Sequence, residues 1–295
     1  MTSDDVASLS VGVIGPGRVG TTLALALADA GHQVVAVAGR TGAGDPAAAT
    51  FAAAVPVARV TTPSGVVAAA DLVLLTVGDD ALPAIVRDLA ADDAVRSGVR
   101  VVHTSGRHGV AVLRPVTLAG ARVAACHPAQ TFPTAAAGRR DLPGTAWAVT
   151  AVPDDRGWAH ALVATLGGDA VDVREADRVR YHAALSVGAN GTSAVVALAR
   201  DLLLAAGIDV PGRFLTPLVI SSAGNAAEHG AAALTGPVRR GDRATIEAHL
   251  ADLREVLPEA VPAYRALSRL ALSYARRAGL DEERADAIRT ILDAE

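Results

Sequence analysis

The sequence predicts an α/β chain in which an N-terminal doubly wound sheet is followed by an all-α C-terminal domain. Three observations carry this. A glycine-rich turn joins a short apolar run to a helix near the N-terminus. Short apolar runs then alternate with helical stretches as far as residue 174, and beyond it only helical periodicity remains. The expected domains are therefore 1–174 and 175–295.

Val11, Val13 and Ile14 suit a buried parallel strand, and Gly15, Pro16, Gly17, Arg18, Val19 and Gly20 then give the spacing G-x-G-x-x-G ahead of a helical stretch. Each glycine has a physical role in a dinucleotide site: Gly15 makes the tight turn, Gly17 lets a pyrophosphate approach the backbone, and Gly20 lets helix and strand pack closely. The phosphates would sit on free amide N–H groups at the positive end of the helix. An ordinary glycine-rich turn gives the same spacing; the flanking strand and helix favour the nucleotide.

The first helix is expected over Arg18–Ala30, with Gly31 as its stop. Residues 32–38 form a second strand ending at Gly39, Arg40 and Thr41, about 20 residues past the turn, where such a site discriminates its ribose. An acidic residue there would take the 2′-hydroxyl of NAD. Arg40 instead offers a guanidinium that can hold a phosphate through paired hydrogen bonds, beside Thr41. This favours NADP(H) over the plainer reading of a solvated loop arginine.

Residues 46–56 read as a short helix, and further strands are expected at 70–77, 100–104, 121–126, 145–150 and 170–173. Asp80 is placed to cap a helix over 81–90. The loops behind these strands carry Val77 and Gly78, then Thr104 and Ser105 behind His103, then His127. Ligands of doubly wound sheets sit beyond the carboxyl ends of the strands, so Gly15, Arg40, Gly78, His103, Thr104, Ser105 and His127 share the expected binding edge. Residues 175–206, 213–230, 243–256, 258–278 and 282–293 read as helices.

Of 295 residues, 51% are hydrophobic and 20% charged, with a net charge of −4. That balance suits a substantial core and gives no basis for a nucleic-acid partner. Apolar stretches are broken by Asp, Arg or Gly, so no membrane span is expected, and the N-terminus lacks the basic start of a signal peptide. A cytoplasmic protein is the default. The single Cys126 excludes an intrachain disulfide, and the absence of H-E-x-x-H or a Cys/His cluster leaves no expected metal. All 27 basic residues are arginine. Chemistry that needs a lysine ammonium is thereby excluded.

His182, Ser186 and Asn190 are spaced i, i+4, i+8 on the expected helix 175–206 and so share a face. Burying unpaired polar groups costs free energy, so these side chains either satisfy one another and nearby backbone or line a catalytic cleft. Residues 234–242 read as a loop in which Thr235, Arg239 and Arg240 suit a substrate carboxylate, or else as an exposed basic loop. Asp242 is placed to cap the following helix. His127 reads either as a turn residue or as a cleft residue.

Together, Gly15–Gly20, His103–Gly106, His127–Phe132, Tyr181–Ala184, Asn190, Leu234–Pro237 and Arg240–Asp242 resemble one family, the Rossmann-like proteins whose C-terminal half is domain of unknown function 2520. The resemblance covers nearly the whole chain. The architecture is also similar to ketopantoate (2-dehydropantoate) reductase, pyrroline-5-carboxylate reductase and the 3-hydroxyisobutyrate dehydrogenases, with a 6-phosphogluconate-dehydrogenase-like C-terminal domain. This implies an NAD(P)-dependent reductase of a small-molecule substrate, commonly a homodimer through its helical domain. In ketopantoate reductases and hydroxyisobutyrate dehydrogenases a lysine lies four residues before an asparagine on this helix. Setting Asn190 as that asparagine puts Ser186 where the lysine would be. His182 could replace it as general acid, with His127 second and His103 also at the cleft. The expected reaction is NADPH-dependent reduction of a small carboxylated carbonyl compound, a 2-oxo acid first. Imine reduction of the pyrroline-carboxylate kind and a non-catalytic NADP(H)-binding sensor stay open.

Overall fold

The computed structural model describes residues 8–39, 45–55 and 58–294. Contacts divide the chain into two compact units, Met1–Ser186 and Val187–Glu295. In the first unit the strands are β1 (Ser10–Ile14), β2 (Gln33–Ala38), β3 (Arg59–Val60), β4 (Leu72–Leu75), β5 (Arg100–His103), β6 (Arg122–Pro128), β7 (Ala146–Ala151) and β8 (Asp169–Asp172). Among the described residues they form one sheet in the order β3-β2-β1-β4-β5-β6-β7-β8. The chain starts at β1, winds outward through β2 and β3, and returns past β1 to β4, which makes the β1–β4 boundary the switch point of a doubly wound sheet.

Helices cover both faces, so β1 and β4 are buried on both sides and read as near-continuous apolar runs. On one face Val11, Val13, Leu72 and Leu74 pack with Leu23 and Leu27 of α1 (Arg18–Asp29) and Phe51 of α2 (Pro46–Ala54). On the other, Ile14, Val73 and Leu75 pack with Val66 and Val67 of α3 (Pro63–Ala69), Leu82, Val86 and Leu89 of α4 (Leu82–Ala91) and Val116 of α5 (Arg114–Leu118). Two further helices, α6 (Ala135–Asp141) and α7 (Pro153–Thr165), flank β7 in sequence. Asp155 of α7 fixes the start of β6: its carboxylate accepts from the Val123 N–H at 2.9 Å, Arg122 Nε at 2.8 Å and Trp158 Nε1 at 3.0 Å.

Within the sheet and its flanking helices, several features differ from the sequence expectation. β3 is two residues long, too short to give a periodic signal. β7 runs antiparallel to β6, a direction that apolar patterning does not encode. Asp80 does not cap α4; that helix begins behind Ala81 without a side-chain cap, and the exposed Asp80 lies 3.5 Å from Arg107 Nη2.

The stretch expected as one helix over 175–206 is instead a 3₁₀ turn (Glu175–Asp177), α8 (Arg178–Ser186), a π-turn (Val187–Gly191) and α9 (Thr192–Ala205). Gly188 and Gly191 weaken the α register, and the Thr192 and Ser193 hydroxyls donate to the Gly188 and Ala189 carbonyls at 2.6 and 3.0 Å. The division after Ser186 falls one helix beyond the change of pattern at residue 174, because α8 is bonded to the sheet through Arg178.

The second unit continues with α10 (Pro211–His229), α11 (Pro237–Arg240), α12 (Arg243–Val256), α13 (Val261–Arg277) and α14 (Glu282–Asp293). Its core is Val238, Ile246, Leu250, Leu272, Ala275, Ile288 and Leu292. Within the expected loop 234–242, Pro237–Arg240 form one helical turn, and Asp242 caps α12 by accepting from the Thr245 N–H at 3.2 Å.

His103 ends β5 with its ring fully buried. The Ser105 N–H donates to Nδ1 at 3.1 Å, so Nε2 carries the proton and donates to the Gly109 carbonyl at 2.8 Å. Burial pulls its pKa down to about 4. An unfolded chain takes up a proton near pH 6.5 that the folded chain refuses until about pH 4, so stability falls as pH drops through that window. We expect about 3 kcal/mol of stability to be lost from this residue alone. Denaturant unfolding across that range checks it: His103→Gln, less stable near neutrality, should show a shallower pH slope than the parent.

Candidate active site

β1 ends at Ile14 and the chain turns through Gly15 at φ +99°, a conformation that favours glycine. A Cβ there would lie 2.8 Å from the Thr76 carbonyl, and one on Gly20 would come within 2.5 Å of the Gly15 oxygen and Thr76 Oγ1. Thr76 Oγ1 donates to the Gly15 carbonyl at 2.6 Å, so strand, turn and helix are packed at contact distance. Gly17 is the opposite case: a Cβ there would meet nothing within 4 Å. Gly17 is the N-cap of α1, and no side chain caps that helix. No side chain takes its first-turn N–H groups, and with open space at Gly17 the turn fits a pyrophosphate. Pro16 is buried, Val19 packs on the core, and Arg18 is exposed with Nη1 donating to the Pro133 carbonyl at 3.4 Å. Arg40 and Thr41, the expected ribose discriminators, lie outside the described residues.

The loops behind β4 and β5 continue this edge. Val77 packs against the β4–α4 core, and the Gly78 carbonyl accepts from the Ala81 and Leu82 N–H groups. The Thr104 N–H donates to the Leu75 carbonyl at 3.3 Å. Ser105 is buried and its Oγ accepts from the His108 N–H at 3.1 Å, so this hydroxyl shapes the loop.

At the end of β6 the structure assembles a cluster of rings. His127 Nδ1 lies 2.8 Å from Tyr181 Oη, and its ring meets His182 edge-on with centroids 6.2 Å apart. Gly106 makes room for both: a Cβ there would come within 2.7 Å of the His182 ring and 3.0 Å of His127 Nε2. Beneath them Arg178 is 1% exposed. Its Nε donates to Thr150 Oγ1 at 2.8 Å, Nη2 to the Ala125 and Ala148 carbonyls at 2.7 and 3.0 Å, and Nη1 to the Ser105 carbonyl at 3.3 Å.

This setting decides the protonation states. Burial first, then the Arg178 charge, pulls the His127 pKa to about 4, so its ring is neutral near pH 7. Burial raises the Tyr181 pKa against the opposing pull of Arg178, so its O–H keeps its proton. Burial pushes Cys126, next to His127, up to about 12. A neutral imidazole and a protonated phenol thus stand beside His182. Neither Tyr181 nor Arg178 stands out in the sequence; the one signal there is their i, i+3, i+4 spacing with His182.

Ser186 is half-buried at the end of α8, one turn from His182. Asn190 is exposed and lies in the π-turn, in the second unit. His182 and Ser186, both in the first unit, share a face of α8. Thr235, Arg239 and Arg240 fall in the second unit, on a cavity of about 830 Å³. Among the described residues no group of three or more His, Cys, Asp or Glu side chains could hold a metal ion, and no helix is long and apolar enough to cross a membrane.

A model of the Rossmann-like domain matches residues 2–128, and a model of the domain of unknown function DUF2520 matches residues 145–292. Among solved structures, a candidate NADP oxidoreductase from Bacteroides fragilis is 26% identical, with a TM-score of 0.75 over 90% of this chain and 98% of that one. An imine reductase from Myxococcus stipitatus in complex with NADP+ is 17% identical, with a TM-score of 0.61 over 91% and 93%. A pyrroline-5-carboxylate reductase from Coxiella burnetii is 14% identical, with a TM-score of 0.56 over 97% and 99%. The last two likenesses concern the fold. No protein of curated function matches by sequence. With the mostly parallel sheet, the glycine turn and the helical C-terminal region in place, the DUF2520 match over half its length makes this chain a member of the DUF2520 family.

Proposed function

We propose that the chain is an NADPH-dependent oxidoreductase that reduces a small carboxylated carbonyl compound, a 2-oxo acid first. The observation that carries this reading is the uncapped start of α1 behind Gly15, Gly17 and Gly20, on the strand edge that also holds His127. The 26% identity with the Bacteroides fragilis candidate NADP oxidoreductase supports the cofactor class. The hydride belongs to the cofactor; the protein supplies orientation and electrostatics. In this reading the α1 amides hold the pyrophosphate and Arg40, beside Thr41, holds the ribose phosphate. His182 delivers the proton, oriented by Ser186 one turn on.

A second reading, reduction of a C=N bond, has its own support. The chain has no lysine and His127 is neutral near pH 7, so strong acids are scarce, whereas an iminium arrives already protonated. A panel of 2-oxo acids and cyclic imines followed by NADPH oxidation separates the two. Tight NADPH binding without turnover across the panel would indicate a sensor instead.

We also propose a homodimer through α9 and α10. α9 has no buried residue and α10 buries only Pro211, leaving Val195, Leu204, Phe214, Leu218 and Ile220 exposed. Such an apolar surface suits an interface. Light scattering should give a dimer for the parent chain and a monomer for the Phe214→Glu/Leu218→Glu double variant.

Arg40→Ala should weaken NADPH binding by roughly 10- to 150-fold and leave NADH nearly unaffected; equal losses would refute the phosphate assignment. His182→Ala should lower turnover by about 10²–10⁴-fold with NADPH binding retained. Near-normal turnover of His182→Ala, combined with a comparable loss in Tyr181→Phe, would move the proton to Tyr181.

A further inference from the structure

We propose that the second unit carries a binding site for a small dianion, a phosphate monoester or a dicarboxylate, held by Arg240 and Arg284 with Arg239 behind them. The cavity of about 830 Å³ is lined by Thr235, Gly236, Arg239, Arg240, Asp281 and Arg284 among others, a volume in the range of small-ligand sites. Three guanidiniums share it with one carboxylate. Elsewhere in this unit Arg243, Arg269, Arg276 and Arg289 each lie within 4 Å of a carboxylate, while among the described residues Arg200, Arg213, Arg265 and Arg277 do not but line no shared cavity with one another. None of the three cavity arginines makes such an ion pair among the described residues.

The backbone is shaped to hold these cations. Arg239 Nη2 donates to the Ala278 carbonyl at 3.0 Å, which ties this guanidinium to the cavity wall. The Arg284 stem lies on Gly241, where a Cβ would come within 2.9 Å of Arg284 Cβ and 3.0 Å of its Cδ. Gly241, at φ +70°, also ends α11 directly behind Arg240, so one glycine sets the position of both arginines. The single carboxylate is already engaged, since Asp281 Oδ1 caps α14 by accepting from the Arg284 N–H at 3.1 Å. Asp242, within the field of Arg240, is likewise engaged in capping α12. Asp281 on the cavity and Asp242 beside Arg240 together supply two negative charges against three guanidiniums, so the site keeps a net positive charge. A guanidinium fork matches the paired oxygens of phosphate and carboxylate alike.

The site lies wholly in the second unit and does not rest on the reductase reading, so direct binding tests it. The full chain is titrated calorimetrically with inorganic phosphate, succinate and acetate, each with and without NADP+, which separates this site from the glycine turn. The dianions should bind at least about 10-fold more tightly than acetate, and weaken as salt is raised. Arg284→Gln and Arg240→Gln should each weaken dianion binding by about 10-fold or more, with Arg284→Lys retaining part of it. Phosphate ahead of succinate identifies a phosphoryl ligand, and the reverse a dicarboxylate. Equal binding of acetate, or dianion binding indifferent to both Gln variants in chains whose circular dichroism is unchanged, overturns the proposal. A chain that fails to bind NADP+ yet keeps the Arg284-dependent site would refute the reductase reading and leave this one standing.

Discussion

Arg178 places a positive charge in the interior of the first unit with only neutral acceptors in hydrogen-bond distance, and the neighbouring chain is arranged around it. An ion buried without partners costs several kcal/mol, and a guanidinium does not shed its proton to escape that cost as a lysine can. The cost is offset because three segments converge on this α8 side chain with four acceptors: the loop behind β5, β6 and β7. The antiparallel register of β6 and β7, with Ala125 opposite Thr150 and His127 opposite Ala148, brings their carbonyls and the Thr150 hydroxyl to one guanidinium. A parallel β7 would not offer that set.

The ring cluster inherits its geometry and its electrostatics from this arrangement. His127 lies two residues beyond Ala125, and Tyr181 one turn beyond Arg178, whose guanidinium carbon is 6.0 Å from the tyrosine ring centre. Burial keeps His127 neutral, the same charge that holds the strands together adds to that effect, and it opposes the rise in the Tyr181 pKa caused by burial. At the switch point between β1 and β4, by contrast, the geometry comes from the lack of side chains: Gly15 and Gly20 allow contact, and Gly17 leaves space.

Much of this was legible in the sequence because it is local. The glycine turn joins residues adjacent along a strand, turn and helix, so spacing alone specified which glycine is packed and which is open. The helical second half showed in its periodicity. What was not legible joins distant residues or depends on direction. His127 and Tyr181 are 54 positions apart, and the burial of Arg178 depends on carbonyls that no side-chain pattern encodes. The direction of β7 is equally silent, since an apolar run reads alike both ways. The π-turn over Val187–Gly191 is hidden too, since glycines at 188 and 191 lower helix propensity without specifying i→i+5 bonding.

Cys126 sits between Ala125, which accepts from Arg178, and His127. It is 1% exposed, and its pKa near 12 denies it the thiolate form in which cysteine reacts. The chain has no other thiol and no lysine amine. A thiol-directed electrophile therefore has one target and reaches it only when β6 parts from its neighbours. The rate at which this atom is alkylated is a clock for the opening of that strand, set by the free energy of local unfolding rather than by the intrinsic reactivity of sulfur. The protein thus carries, one residue from its ring cluster, a built-in gauge of how firmly the buried guanidinium holds the sheet closed.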